Sequence, residues 1–172
     1  MIVKEFELIY EQTFRNIFNY IYSLSRDHAL AEDITQDTFL KAYECMIAEG
    51  KPLNKSWFYT VARNKYISVT RERRFLFFHV RKDSENELFD LLPDGNDTPE
   101  EYVLKKERSE RIEKVLSQLC ESYRTGLILR EYHELSLDEI ASIIGIKRTY
   151  AKQLLYKARE KFKTIYGGKD YE

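Results

Sequence analysis

The run SLDEIASIIGIKRTYAKQLLYKAREKF, residues 136–162, decides how the rest of the chain is read. Ser136 is placed to cap a helix, and Glu139, three residues on, to bond back to it in a capping box. Leu137, Ile140, Ala141 and Ile144 repeat at helical spacing. Gly145 then stops the helix, and Ile146 plugs the corner. A second helix is predicted from about Lys147, with Ala151, Leu154, Leu155 and Ala158 as its buried stripe. Ala141 and Gly145 read as small residues where the two helices cross closely. Together these features make a helix-turn-helix. An ordinary pair of packed helices is the plainer reading, but charge argues against it. Residues 147–169 hold eight cations against Glu160 alone, a net +7, and a basic second helix suits a phosphate-lined groove.

Outward from this stretch, charge alternates in blocks. The whole chain has a net charge of −1, which conceals +6 over residues 61–82 and −7 over residues 83–110. Two separate basic surfaces are implied rather than a uniformly basic protein. With 172 residues, 43% of them hydrophobic, the chain is expected to form one or two small domains. Cys45 and Cys120 have no Cys or His companions and are expected to be small buried thiols in a reducing compartment. Lys4, Glu5 and Glu7 interrupt any apolar leader, and no run is long enough to span a bilayer. A cytoplasmic protein is expected.

Residues 4–25 carry Phe6, Ile9, Tyr10, Phe14, Ile17 and Ile21 on a broad helical face, aromatic because it packs. A turn at Arg26, Asp27 and His28 leads to a helix over 29–47. There Ile34, Phe39, Ala42, Tyr43 and Met46 face inward, while Asp33, Gln36 and Asp37 share an exposed face. Such acids could hold a divalent metal, yet no His or third acid stands at a suitable spacing. A solvated face or an acidic docking face fits better. Residues 48–56 are a loop marked by Gly50, Pro52 and Asn54. The next helix begins near Ser56, with Arg63, Lys65, Arg71, Arg73 and Arg74 interleaved among Trp57, Tyr59 and Tyr66. That mixture suits single-stranded nucleic acid, whose bases stack on rings while phosphates meet cations; it equally suits a core helix with a solvated basic stripe. Residues 83–101 are an acidic interdomain linker, with a short helical turn possible at Glu87–Leu92. Fully extended it reaches ~60 Å. Helices at Pro99–Leu119 and Glu121–Tyr132 precede the helix-turn-helix, and the last residues fray.

Read together, these pieces resemble a known family. Ala31-Glu32-Asp33-Ile34-Thr35-Gln36-Asp37-Thr38-Phe39 looks like the AEDxxQxTF segment of the extracytoplasmic-function (ECF) group of bacterial RNA polymerase sigma factors. Trp57-Phe58-Tyr59-Thr60-Val61-Ala62-Arg63-Asn64 resembles the WLYxIARN segment that follows it there. Residues 113–162 resemble the promoter-binding domain at the carboxy terminus. The resemblance implies an all-α fold of two small helical domains joined by a flexible acidic linker. Residues 1–82 would form the first domain, 83–101 the linker, and 102–172 the helix-turn-helix domain.

It also implies roles. Asp33, Gln36 and Asp37 would dock on the clamp helices of the polymerase β′ subunit. Trp57, Tyr59, Arg63, Asn64 and Lys65, with the 48–56 loop, would hold the promoter −10 element. A base captured outside the stack there would offset the few kcal/mol of unpairing it, with no ATP. Arg148, Tyr150, Lys152 and Gln153 would read the −35 element, since the first residues of such helices meet base edges. Lys157, Arg159 and Lys161 would touch phosphate or solvent. No catalytic residue, metal or cofactor is implied; an anti-sigma partner, often membrane-anchored and released by stress, is. Ser68, Cys120, Tyr150, Ala151 and Leu154 depart from the family's usual residues, so its −35 preference does not transfer. The rival readings are a self-sufficient helix-turn-helix repressor or activator and a small hydrolase using Asp33 and Asp37.

Overall fold

A computed structural model describes residues 2–50, 53–76 and 98–168, and every regular element among them is helical. Helix α1 spans Ile2–Ser25, α2 His28–Glu49 and α3 Lys55–Leu76. Helix α4 spans Pro99–Ser117, and α5 covers Glu121–Leu127 and continues as a π turn over Ile128–Tyr132. The helix-turn-helix is α6, Leu137–Ile144, and α7, Arg148–Gly167. The segment 83–97, read as linker with a helical turn at Glu87–Leu92, lies outside the described residues, as do 169–172. Residues 99–101 belong to α4, because Thr98 and Glu101 form a capping box that starts the helix there.

The first three helices pack around aromatic rings. Phe39 of α2 meets Tyr10 at 5.1 Å, Phe14 at 5.4 Å and Phe58 of α3 at 5.1 Å between ring centroids. Ile17, Tyr20, Ile21 and Leu24 are the buried face of α1. At the α1–α2 corner Arg26 adopts φ 56°. Asp27 caps α2 by accepting the Leu30 amide at 3.0 Å. That bond, reinforced by Arg73 against a partial burial penalty, holds the Asp27 carboxyl below its ordinary range. Gly50 ends α2 at φ 64°, the left-handed conformation only glycine takes freely.

In the second half the expected caps are present. Ser136 Oγ accepts the Glu139 amide and Glu139 bonds back, and Gly145 closes α6 at φ 80°. The close helix approach lies elsewhere. A Cβ on Gly145 would meet nothing within 4 Å, whereas one on Gly126 of α5 would stand 2.7 Å from Leu154 Cδ2. Gly145 is therefore needed for its backbone angle, and Gly126 for the α5–α7 crossing. Val103 of α4 is exposed. Cys120, read as buried, is exposed at the start of α5, and Cys45 is half-buried.

The two halves share one continuous core. Helix α3 lies against α6, and α1 touches the π turn. Arg26 pairs with Glu113 of α4, and Arg63 Nη2 meets Glu121 Oε2 at 3.1 Å. The halves are thus packed together in this structure rather than standing apart on a tether.

Candidate polymerase and nucleic-acid interfaces

Three surfaces carry the candidate residues. On α2, burial of Ala31, Ile34, Thr35, Thr38 and Phe39 turns Asp33, Gln36 and Asp37 outward. The buried threonines do not disturb the helix, because their hydroxyls donate to the Ala31 and Ile34 carbonyls at 2.6 and 2.7 Å. The acidic face continues along the same side into Leu40 and Ile47, which are 60% and 56% exposed. Large aliphatics left in water beside acids form an amphipathic strip suited to a partner helix. Their spacing from Asp33 and Gln36 was visible in the sequence, but only burial shows that they do not face the core. Asp37 also bridges to α3 through Lys65, at 3.0 Å. Among the described residues, no group of three His, Cys, Asp or Glu side chains is arranged to hold a metal.

The α3 surface is divided. Asn64 and Lys65 are exposed and Trp57 is half-buried. Asn54 starts the helix by accepting the Trp57 amide at 2.8 Å. Of the loop read as a base pocket, Lys51 and Pro52 lie outside the described residues. Tyr59 is fully buried and Arg63 is 8% exposed. Phe58, Ala62 and Tyr66 fill the hydrophobic face of the helix. Tyr59 and Arg63, one residue further round, are covered by the second half of the chain. The Tyr59 hydroxyl and His133 Nδ1 are 3.0 Å apart in a hydrogen bond. Tyr20 completes the group, its ring 5.2 Å from Tyr59 and 5.8 Å from His133. Burial raises both tyrosine hydroxyls far above their ordinary range, and burial with nearby Lys55 lowers His133 to about 4. His133, Tyr20, Glu113 and Glu121 escape a motif-based reading because each is ordinary in its own helix. Only the packing of the halves brings them to α3.

The α7 surface is open. Ala151, Leu155 and Ala158 are buried against α5 and α6, with Leu154 half-buried. Arg148, Tyr150, Lys152 and Gln153 project into solvent at the amino end. Arg148 reaches Asp138 of α6 at 3.5 Å, an exposed pair of little strength. Arg159, read as a phosphate or solvent group, is exposed and also pairs with Glu131 at 2.7 Å.

Two family descriptions match the chain, one in each half. The family described as Sigma-70 region 2 matches residues 9–75, and Sigma-70, region 4 matches residues 109–162. The chain is 32% identical over 159 residues to the RNA polymerase sigma factor YlaC of Bacillus subtilis (strain 168), covering 91% of this chain and 89% of that protein. It is 28% identical over 158 residues to the ECF RNA polymerase sigma factor SigM of the same organism, covering 92% and 93%. Among solved structures, the sigma factor RpoE in complex with the anti-sigma factor NepR from Bartonella quintana shares the fold. Its TM-score is 0.68 at 23% identity, over 94% of this chain and 96% of that one. CnrH in complex with the cytosolic domain of CnrY gives a TM-score of 0.66 at 17% identity, over 95% and 88%. With both regions matched in order and the YlaC likeness running nearly end to end, the chain belongs to the ECF group of the sigma-70 family of RNA polymerase sigma factors.

Proposed function

We propose that this sigma factor joins core RNA polymerase to a promoter through the three surfaces, with no cofactor and no chemistry of its own. Asp33, Gln36 and Asp37 bind the clamp helices of the β′ subunit. Trp57, Tyr59, Arg63, Asn64 and Lys65 hold the single-stranded −10 element. Arg148, Tyr150, Lys152 and Gln153 enter the major groove at the −35 element. Residues 1–82 and 102–172 act as the two functional units. The observation that carries this reading is the outward display of the α2 acids and the α7 amino-terminal polar groups by one chain. Both surfaces face solvent and stand free for partners.

A cytoplasmic location follows from the partners, and no helix among the described residues is long and apolar enough to cross a membrane. An anti-sigma protein, often membrane-anchored, is the expected inhibitor; the solved RpoE relative was captured with one. The test is a pull-down with core polymerase. Asp33→Arg with Gln36→Ala is expected to weaken capture at least tenfold, since like charges brought together at an interface cost several kcal/mol. Unchanged capture removes the docking assignment. A stand-alone repressor is separated by gel shift, because it binds specific duplex tightly without polymerase.

A further inference from the structure

The seam where the two halves meet encloses a cavity of about 340 Å³. Both halves supply its walls. Asn19 of α1 and Arg26 beyond it stand with Glu113 and Leu116 of α4, Arg124 of α5 and the π turn. Cavities of this size at domain boundaries, mostly apolar with a few polar groups, are where small ligands bind. A helix about 10 Å across with its side chains overfills the space within one turn. The occupant is therefore a small molecule.

The π turn builds one wall. The His133 amide bonds to the Ile128 carbonyl at 3.3 Å, five residues back. Under α-helical winding those two side chains would stand ~140° apart; here both line the cavity. Such wide turns are rare and recur at functional sites. The His133 ring is already held, by the Tyr59 hydroxyl at 3.0 Å and by the Tyr20 ring edge-on at 5.8 Å. Leu116 and Ile128 beside it are buried. The wall is apolar, aromatic and preformed, which lowers the cost of seating a ring.

Charge selects the rest of the ligand. Two cations, Arg26 and Arg124, line the cavity with one acid, Glu113. Glu113 is engaged by Arg26. Arg124 has no carboxylate partner among the described residues, and its buried Nε has no hydrogen-bond partner there. His133 adds no charge near neutrality, because burial lowers it to about 4. The uncompensated charge is positive, and a buried donor left unpaired is a cost that an acid group on this guanidinium offsets.

We propose that the cavity binds a small aromatic anion, its rings against Leu116, Ile128 and His133 and its carboxylate, sulfonate or phosphate on Arg124. The site is separate from the polymerase and promoter surfaces, and none of the roles proposed for them is needed for it. Because its walls belong to both halves, occupancy adds to what holds them together.

The test uses the full chain and the probe 8-anilinonaphthalene-1-sulfonate. N-phenyl-1-naphthylamine, the same molecule without its sulfonate, is the uncharged comparison. Saturable one-to-one binding of the sulfonate is expected by fluorescence and calorimetry, with a Kd of about 10–100 µM from the affinity per atom usual at that size. Ser109→Trp puts an indole in the cavity and is expected to weaken the sulfonate probe at least tenfold. Glu107→Trp, at an exposed α4 position, is expected to change it less than twofold. Arg124→Gln is expected to weaken the sulfonate at least fivefold and the uncharged probe less than twofold. Cooperative thermal unfolding shows that each variant folds; should Ser109→Trp lose it, Asn19→Phe fills the cavity from α1 instead. Unchanged binding in the filled variant, an equal loss in Glu107→Trp, or no saturable binding by wild type overturns the proposal. So does an equal loss of both probes in Arg124→Gln, which would leave an apolar void with no anion recognition.

Discussion

Helices α3 and α7 are both rich in cations and both read as DNA-binding, yet one is covered and the other is open. Helix α7 packs on α4, α5 and α6, but in its first turns only Ala151 and Leu155 are buried, so its amino-terminal polar groups radiate into water. Helix α3 has neighbours on two sides. Phe58, Ala62 and Tyr66 face α1 and α2, and the adjoining Tyr59 and Arg63 face the other half. An aromatic beside a cation serves equally for a base and phosphate or for a histidine and carboxylate. Composition does not separate the two uses; burial does.

The largest expected effect abolishes the contrast altogether. Ile140 is fully buried in α6, the helix that packs against both α3 and α7. Ile140→Ala is expected to cost ~2–5 kcal/mol by lost transfer energy and an unfilled cavity, read from urea unfolding. A loss well under 1 kcal/mol would mean that α6 supports neither neighbour as described.

Acid should sharpen the contrast by moving α3 toward the open behaviour of α7. In the closed seam His133 faces Tyr59 and Lys55 of α3 and Tyr20 of α1, with Arg26, Glu113 and Arg124 around the adjoining cavity. Burial first, and Lys55 second, depress it to about 4; once exposed it returns toward ~6.5. The open form then binds the proton more readily. Closure contributed by this residue is complete above pH ~6.5 and is lost progressively as pH falls toward about 4. From pH 7.5 to 5.5 the closed-to-open ratio is expected to fall about tenfold, visible as reduced energy transfer between fluorophores set one on each half. Glu113, raised by burial despite Arg26, takes up its proton more readily when closed and opposes the histidine at the acid end. His133→Gln should flatten the profile; a profile unchanged by that substitution removes the histidine from the seam.

The fold was legible where local rules and tertiary packing ask for the same residue. The Ser136–Glu139 box, the Gly145 stop and the aromatic face of α1 were all readable, because caps and helical periodicity are written in neighbouring positions. The acidic side of α2 was readable for the same reason. Gly126 was not, since its need arises from Leu154, distant in sequence and close only across a helix crossing. The seam was not legible either: its bonds join residues 58 to 87 positions apart. Two glycine substitutions test that distinction. Gly145→Ala is expected to cost ~1 kcal/mol through its left-handed backbone alone. Gly126→Val, which must displace Leu154, is expected to cost ~1–3 kcal/mol by overpacking. Thermal unfolding should rank them in that order.

The smallest effect bears most directly on whether α7 alone is open. Lys152 projects from α7 and has no acidic partner among the described residues. A lysine that neutralises one phosphate contributes ~0.9 to the slope of log affinity against log salt. Lys152→Ala should therefore weaken duplex binding by the free chain and make that slope shallower by about 1. Arg63→Gln should cause no such loss, because in the closed chain its guanidinium is spent on Glu121 and meets no phosphate. An equal loss in both variants would mean that α3 reaches DNA without opening, and α3 and α7 would then differ in appearance only. Loss confined to Lys152→Ala makes the burial of α3 a property the chain carries in solution, before polymerase or promoter is present.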